Sequence, residues 1–152
     1  MLTVRSRQRF PCPAQRVWPL LCDSKMAVAP RMPFLPGVPQ PVQCRLPEGE
    51  GGVGDERECV SREGAVHQRI LDWVPEERLS FRMERTDLGF RSFVDEMVDT
   101  LELEPRNAGV LVTRTTTLRV RGRFRRPKKW LVFLGVKQVH RYVFRNWLRT
   151  AA

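Results

Sequence analysis

The chain predicts an α+β domain: a curved antiparallel sheet of about seven strands wrapped around one long C-terminal helix, with two short helices after the first strand. Three observations carry this. From Gly51 to Phe81, the turns Arg62-Glu63-Gly64 and Pro75-Glu76-Glu77 separate β-type segments at strand length, as in consecutive hairpins. Lys128–Thr150 contains no proline and is apolar along one side, so it reads as the one long helix. The apolar face of an antiparallel sheet must be covered, and this helix is the available cover. Such a sheet curls around its helix and leaves room for a cavity between them. With 152 residues the chain is long enough for one domain, residues 1–152, with its own core.

Each element follows in order. Leu2–Phe10 alternates, with Arg5, Arg7 and Arg9 on one face, and predicts a half-exposed strand. Pro11-Cys12-Pro13 ends it, and Pro13 suits the first residue of a helix. Val17, Trp18, Leu21 and Cys22 then form an apolar stripe, and Pro19 should shorten or kink that helix. A second short helix is expected around Ser24–Ala29. The five prolines of residues 30–41 enforce an extended loop, in which Met32-Pro33-Phe34-Leu35-Pro36 should pack across a cavity mouth.

Val42–Leu46 reads as a short strand and Pro47–Gly54 as an exposed loop. Glu56–Ser61 and Val66–Trp73 are the next two strands, with Glu56–Glu58 placed on a wet face. Arg78–Glu84 alternates Leu79, Phe81 and Met83 with polar residues. Asp87-Leu88-Gly89 turns the chain. Phe93–Glu104 reads as a long strand that puts Phe93, Asp95, Met97, Asp99, Leu101 and Leu103 on one face. Val110–Val120 is the last strand, rich in β-branched residues. In the terminal helix Val132, Val136, Val139, Val143 and Trp147 cluster, with Phe133, His140 and Phe144 beside them and Lys137, Arg141, Arg145 and Arg149 opposite.

Composition sets bounds. Hydrophobic residues make up 41% and charged residues 29%, a globular balance. No segment approaches the roughly 20 apolar residues of a membrane span. MLTVRSRQRF has no apolar signal region, so a cytoplasmic location is expected. Cys12, Cys22, Cys44 and Cys59 show no C-x-x-C spacing, and His67 and His140 are the only histidines. Reduced thiols, no metal site and no cofactor are therefore expected. The net charge of +10 is uneven: no acidic residue follows Glu104, while Arg106 to Arg149 carries 13 of the 27 Lys and Arg. This favours a polyanionic or membrane-surface partner for the C-terminal third, through Arg121, Arg123, Arg125, Arg126, Lys128 and Lys129 with Phe124 and Trp130. A solvated basic joint is the plainer reading, and no nucleic-acid module is recognisable.

A family likeness rests on pieces that run almost end to end. They are Arg9-Phe10-Pro11 before Pro13-Ala14-Gln15-Arg16-Val17-Trp18, Val53-Gly54-Asp55-Glu56-Arg57, and Glu63-Gly64. Further on come Ile70-Leu71-Asp72-Trp73-Val74-Pro75 with Arg78-Leu79-Ser80-Phe81, then Leu101-Glu102-Leu103-Glu104-Pro105, Gly109 and Val112-Thr113. In this order they resemble the START-like (SRPBCC, helix-grip) superfamily, and within it the polyketide cyclase/dehydrase and lipid-transport group. The resemblance implies the fold; the shell itself serves many unrelated activities. The proline-rich Ala29–Pro41 departs from the short helical segment that the resemblance implies there.

No nucleophile or phosphate-loop motif is present. Two hypotheses follow, and the basic C-terminal third is a third. In the first, a small apolar or amphipathic molecule binds between sheet and helix, against Trp73, Phe81, Met83 and Met97 from the sheet. Val112, Val136, His140 and Val143 complete that lining. In the second, which the resemblance suggests, the domain is an aromatase/cyclase-like enzyme in which Asp99, Arg114 and His140 move protons and orient a polyketide-type substrate. Against this stand a structural ion pair and a packed, satisfied helix histidine.

Overall fold

The computed structural model describes residues 1–26, 34–35, 38–46, 52–122 and 125–151, with residue 125 described by its backbone alone. Alternation decides the first strand: in β1 (Leu2–Phe10) Val4 and Phe10 are buried, while Arg5, Arg7 and Arg9 are exposed. Helix α1 (Ala14–Cys22) starts one position later than expected: Pro13, read as its first residue, is the extended cap. Val17, Leu21 and Cys22 are buried as the stripe predicts, and Pro19 sits inside the helix.

The expected second helix is corrected. Ser24–Lys25 forms strand β2, which pairs with β3 (Pro41–Arg45), and the Met26 N–H donates to the Val42 carbonyl at 2.8 Å. The ladder satisfies backbone groups that a helix would otherwise have satisfied. The rest of that expected helix, residues 27–29, lies outside the described residues, as do Met32, Pro33, Pro36 and residues 47–51 of the predicted loop.

Strands β4 (Glu56–Ser61), β5 (Ala65–Val74), β6 (Arg78–Thr86), β7 (Val94–Arg106) and β8 (Gly109–Val120) complete the sheet. Its order is β1-β8-β7-β6-β5-β4-β3-β2 and each neighbouring pair is antiparallel. The eighth strand is β2. At the β7–β8 turn Asn107 adopts a positive φ of 47°, and Gly109 lies so close to Phe10 that a Cβ would fall on the Phe10 carbonyl. A short 3₁₀ turn, Gly89–Ser92, precedes β7 and buries Phe90.

Two further expectations change. Cys44 and Cys59 face each other in the β3–β4 register and form a disulfide, so only Cys12 and Cys22 are free thiols, both buried. The thiol argument for a reducing compartment therefore loses its basis. Asp95 does not point inward. The β7–β8 register shifts between Val94 and Glu96, and this bulge turns Asp95 out to Arg121, 2.9 Å away. Met97, Asp99, Leu101 and Leu103 keep the inward phase.

Helix α2 (Arg125–Ala151) begins earlier than expected, with Pro127 in its first turn, where no intrahelical N–H is needed. It reaches both edges of the sheet. Lys137 Nζ donates to the Arg5 carbonyl, and His140 Nδ1 lies 2.8 Å from Ser6 Oγ, both on β1. About two turns beyond His140, Trp147 Nε1 donates to Ser24 Oγ on β2 at 3.1 Å. Phe34 stacks edge-on against Tyr142, and Val38 packs at Gly135, where a Cβ would come within 2.8 Å of it. Among the described residues no helix is long and apolar enough to cross a membrane.

Candidate functional site

Two apolar clusters form under α2. One gathers Phe10, Val17, Ile70, Phe81, Leu101 and Trp147; the other gathers Val4, Val66, Leu88, Phe90 and Leu118 with Val132 and Val136 against them. Residues of both clusters line a cavity of about 380 Å³ between sheet and helix. That volume falls within the range of small-molecule sites.

Of the eight predicted lining residues, Phe81, Met97, Val136, His140 and Val143 line the cavity. Trp73, Met83 and Val112 do not. Trp73 pairs with Leu79 and so shares the inward face of Ile70 and Phe81, but it lies beyond the cavity, packed against the first cluster and edge-on to Trp18 of α1. Val112 is buried inside the first cluster, and Met83 packs against the second.

Asp99, Arg114 and His140, offered above as catalytic candidates, come together. Asp99 (β7) and Arg114 and Thr116 (β8) share the inward phase of adjacent strands, while His140 descends from α2. Arg114 Nε donates to Asp99 Oδ1 at 3.1 Å. The Thr116 hydroxyl donates to the same carboxylate oxygen and lies 2.7 Å from His140 Nε2. Thr116 has one proton, committed to Asp99, so His140 Nε2–H must be the donor in the second bond. His140 Nδ1 then accepts from Ser6, whose oxygen accepts from Lys137 at 3.1 Å. Burial, reinforced by the charge of Arg114, pushes the imidazole down to about 3, against the opposing pull of Asp99. His140 is thus neutral at pH 7. Burial alone would raise Asp99, but the Arg114 charge and the bonds from Arg114 and Thr116 outweigh it and hold the carboxyl below its ordinary range.

Among the cavity residues that went unread in the sequence, one is a buried charge. Arg57, expected on a wet strand face, is only 3% exposed and lines the cavity. In β4, Arg57, Cys59 and Ser61 alternate inward, and Glu56 and Glu58 point away. Arg57 Nη1 donates to Gln68 Oε1 at 2.9 Å and Nη2 to the Leu21 carbonyl at 2.8 Å, and its guanidinium lies 4.4 Å from the Phe81 ring centre. Burial, with Arg114 adding to it, lowers its pKa to about 10, so it stays charged. The outward flanking glutamates were the available signal, since period-two alternation sends their neighbour inside.

Elsewhere, Trp130 and Leu131 at the start of α2 are 63% and 62% exposed, and Trp130 stacks on Phe133. Lys128 lines the cavity rim, Arg121 and Arg126 are exposed, and Lys129 is partly so. Arg123, Phe124 and the Arg125 side chain lie outside the described residues.

The fold has known counterparts. A protein of Chromobacterium violaceum superposes with a TM-score of 0.63 at 20% identity, over 98% of this chain and 96% of that one. Ara h 8.0201 gives 0.69 at 16% identity, over 98% and 96%. A Thalictrum norcoclaurine synthase, solved as a point mutant with a transition-state analogue, gives 0.60 at 16% identity, over 99% and 96%. No curated protein matches the chain in sequence. The family of polyketide cyclases/dehydrases and lipid-transport proteins matches residues 1–150, and the chain belongs to this START-like family.

Proposed function

We propose that the protein binds a small apolar or amphipathic molecule in the cavity between its sheet and α2. The carrying observation is the cavity of about 380 Å³, which separates two otherwise closed apolar clusters. Apolar burial supplies the affinity, and a few polar groups in the lining orient the ligand. Native mass spectrometry of the purified protein tests this. A small molecule retained on the folded protein and lost on unfolding supports the reading; a bare protein that takes up none of a panel of apolar compounds overturns it.

The cyclase-like reading has the meeting of Asp99, Arg114 and His140 in its favour. Both imidazole nitrogens are engaged, however, and so is the shared Asp99 oxygen. The arrangement suits a fixed wall better than a proton shuttle. A second surface reading rests on Trp130 and Leu131, exposed beside Lys128 and Lys129: this end of α2 contacts an anionic membrane where ligand is exchanged. Sedimentation with anionic vesicles that weakens with salt and with Trp130→Ala supports it, and equal sedimentation with neutral vesicles counts against it.

A further inference from the structure

The charges inside the cavity do not balance. Asp99 and Arg114 neutralise each other across their bond on the β7–β8 wall. Among the described residues Arg57 has no such partner. Its hydrogen-bond acceptors, Gln68 Oε1 and the Leu21 carbonyl, are uncharged, the Phe81 ring is uncharged, and its Nε has no hydrogen-bond partner among the described residues. Asp99 and Asp23 act on it only through space, and Asp23 is exposed at the end of α1. Among the described residues the one other lysine or arginine in the lining, Lys128, adds a further positive charge at the rim. A guanidinium buried without a counterion is strongly unfavourable, and an unpaired buried N–H adds to that. Here the group faces an apolar space of ligand size.

We infer that the natural ligand is an amphipathic carboxylate, whose acid group is received by the Arg57 guanidinium while its apolar body lies under α2 along Val136, Val139 and Val143. The inference rests on the cavity-binding reading and narrows it to an anion. A planar guanidinium carries five N–H donors, of which Gln68 and the Leu21 carbonyl take two, so it can meet a carboxylate in direction as well as in charge. The burial that lowers the pKa of Arg57 while it stays charged is the same burial that strengthens its attraction for an anion.

The experiment compares octanoate with 1-octanol by calorimetry or ligand-observed NMR at pH 7. They share a chain and differ in the charged head. The wild-type protein should bind octanoate roughly 10- to 100-fold more tightly, the ratio expected of a charge-assisted pair. Arg57→Gln should abolish that preference and leave octanol binding within a few-fold, whereas Lys128→Gln should retain it. Equal binding of the two by the wild-type protein overturns the inference while the cavity reading stands. A preference that survives Arg57→Gln, or that vanishes in Lys128→Gln, overturns the assignment to Arg57. Binding of neither compound overturns the inference and the cavity reading together. The wild-type comparison decides the anion question even if Arg57→Gln does not fold.

Discussion

His140 of α2 and Thr116 of β8 share a hydrogen bond of 2.7 Å whose direction is set by a third residue: Asp99 takes the threonine proton, so the imidazole must donate. This places a neutral histidine at the centre of a chain that runs from Lys137 through Ser6, His140 and Thr116 to Asp99 and Arg114. The chain links the long helix to β1, β8 and β7 at once, and its proton positions yield direct predictions.

Stability should fall with acid well above the carboxylate range. The folded His140 pKa, about 3, lies far below the unfolded value near 6.5, so between these limits the unfolded chain binds a proton that the folded one does not. Stability therefore rises with pH across this window and is lost as pH falls. From pH 7 to pH 5 the loss should be about 2 kcal/mol in urea unfolding. His140→Gln should flatten this slope, though it lowers stability at pH 7. Asp99, held below its ordinary range, adds a further loss only under more acid conditions.

Thr116→Val keeps the shape of the side chain and removes the hydroxyl. It strands the His140 Nε2–H and takes one donor from Asp99, which should lower stability by about 1–3 kcal/mol. Thr116→Ser should recover most of the loss. Equal loss in both variants would mean that the methyl group, rather than the hydroxyl, matters at this position.

Two aspartates four residues apart on one strand should behave oppositely. Asp99→Asn breaks a buried pair with Arg114 and should cost about 3–5 kcal/mol. Asp95→Asn removes an exposed contact with Arg121 and should stay within about 1 kcal/mol. Chemical denaturation of both variants checks the contrast.

The Cys44–Cys59 disulfide closes a loop with a sequence separation of 15. Constraint of the unfolded chain by such a loop is worth about 3 kcal/mol. Reductant should lower the melting temperature of the wild-type protein and leave Cys44→Ser/Cys59→Ser unaffected. A reductant-insensitive wild-type melt would show that the thiols are unpaired.

The contrast between Asp95 and Asp99 also shows where the sequence was legible. Strand alternation placed Met97, Asp99, Phe81 and Arg114 correctly because their strands keep an even phase through the middle of the sheet. It failed at Asp95, beside a bulge that adds a residue and reverses the phase, and nothing in the local composition marks that bulge; Trp73 faces inward as expected but lies beyond the cavity, against Trp18. The long helix was visible from its apolar stripe, whereas β2 was not, because two residues carry no period and form a strand only by pairing with β3. Arg57 was missed because an arginine between two glutamates reads as solvated. The disulfide was hidden because spacing along the chain says nothing of cross-strand register, and Cys44 meets Cys59 only once β3 and β4 are aligned.

The central claim is that the space under α2 is a binding site. Val143 lines it from the helix, and Val143→Trp should fill it at a cost in stability of about 1–3 kcal/mol. Titration with the neutral fluorescent probe N-phenyl-1-naphthylamine compares the two proteins directly, with circular dichroism to establish that both are folded. Saturable binding to the wild-type protein that falls at least tenfold in folded Val143→Trp is the predicted result; undiminished binding in that variant would contradict the assignment of the site.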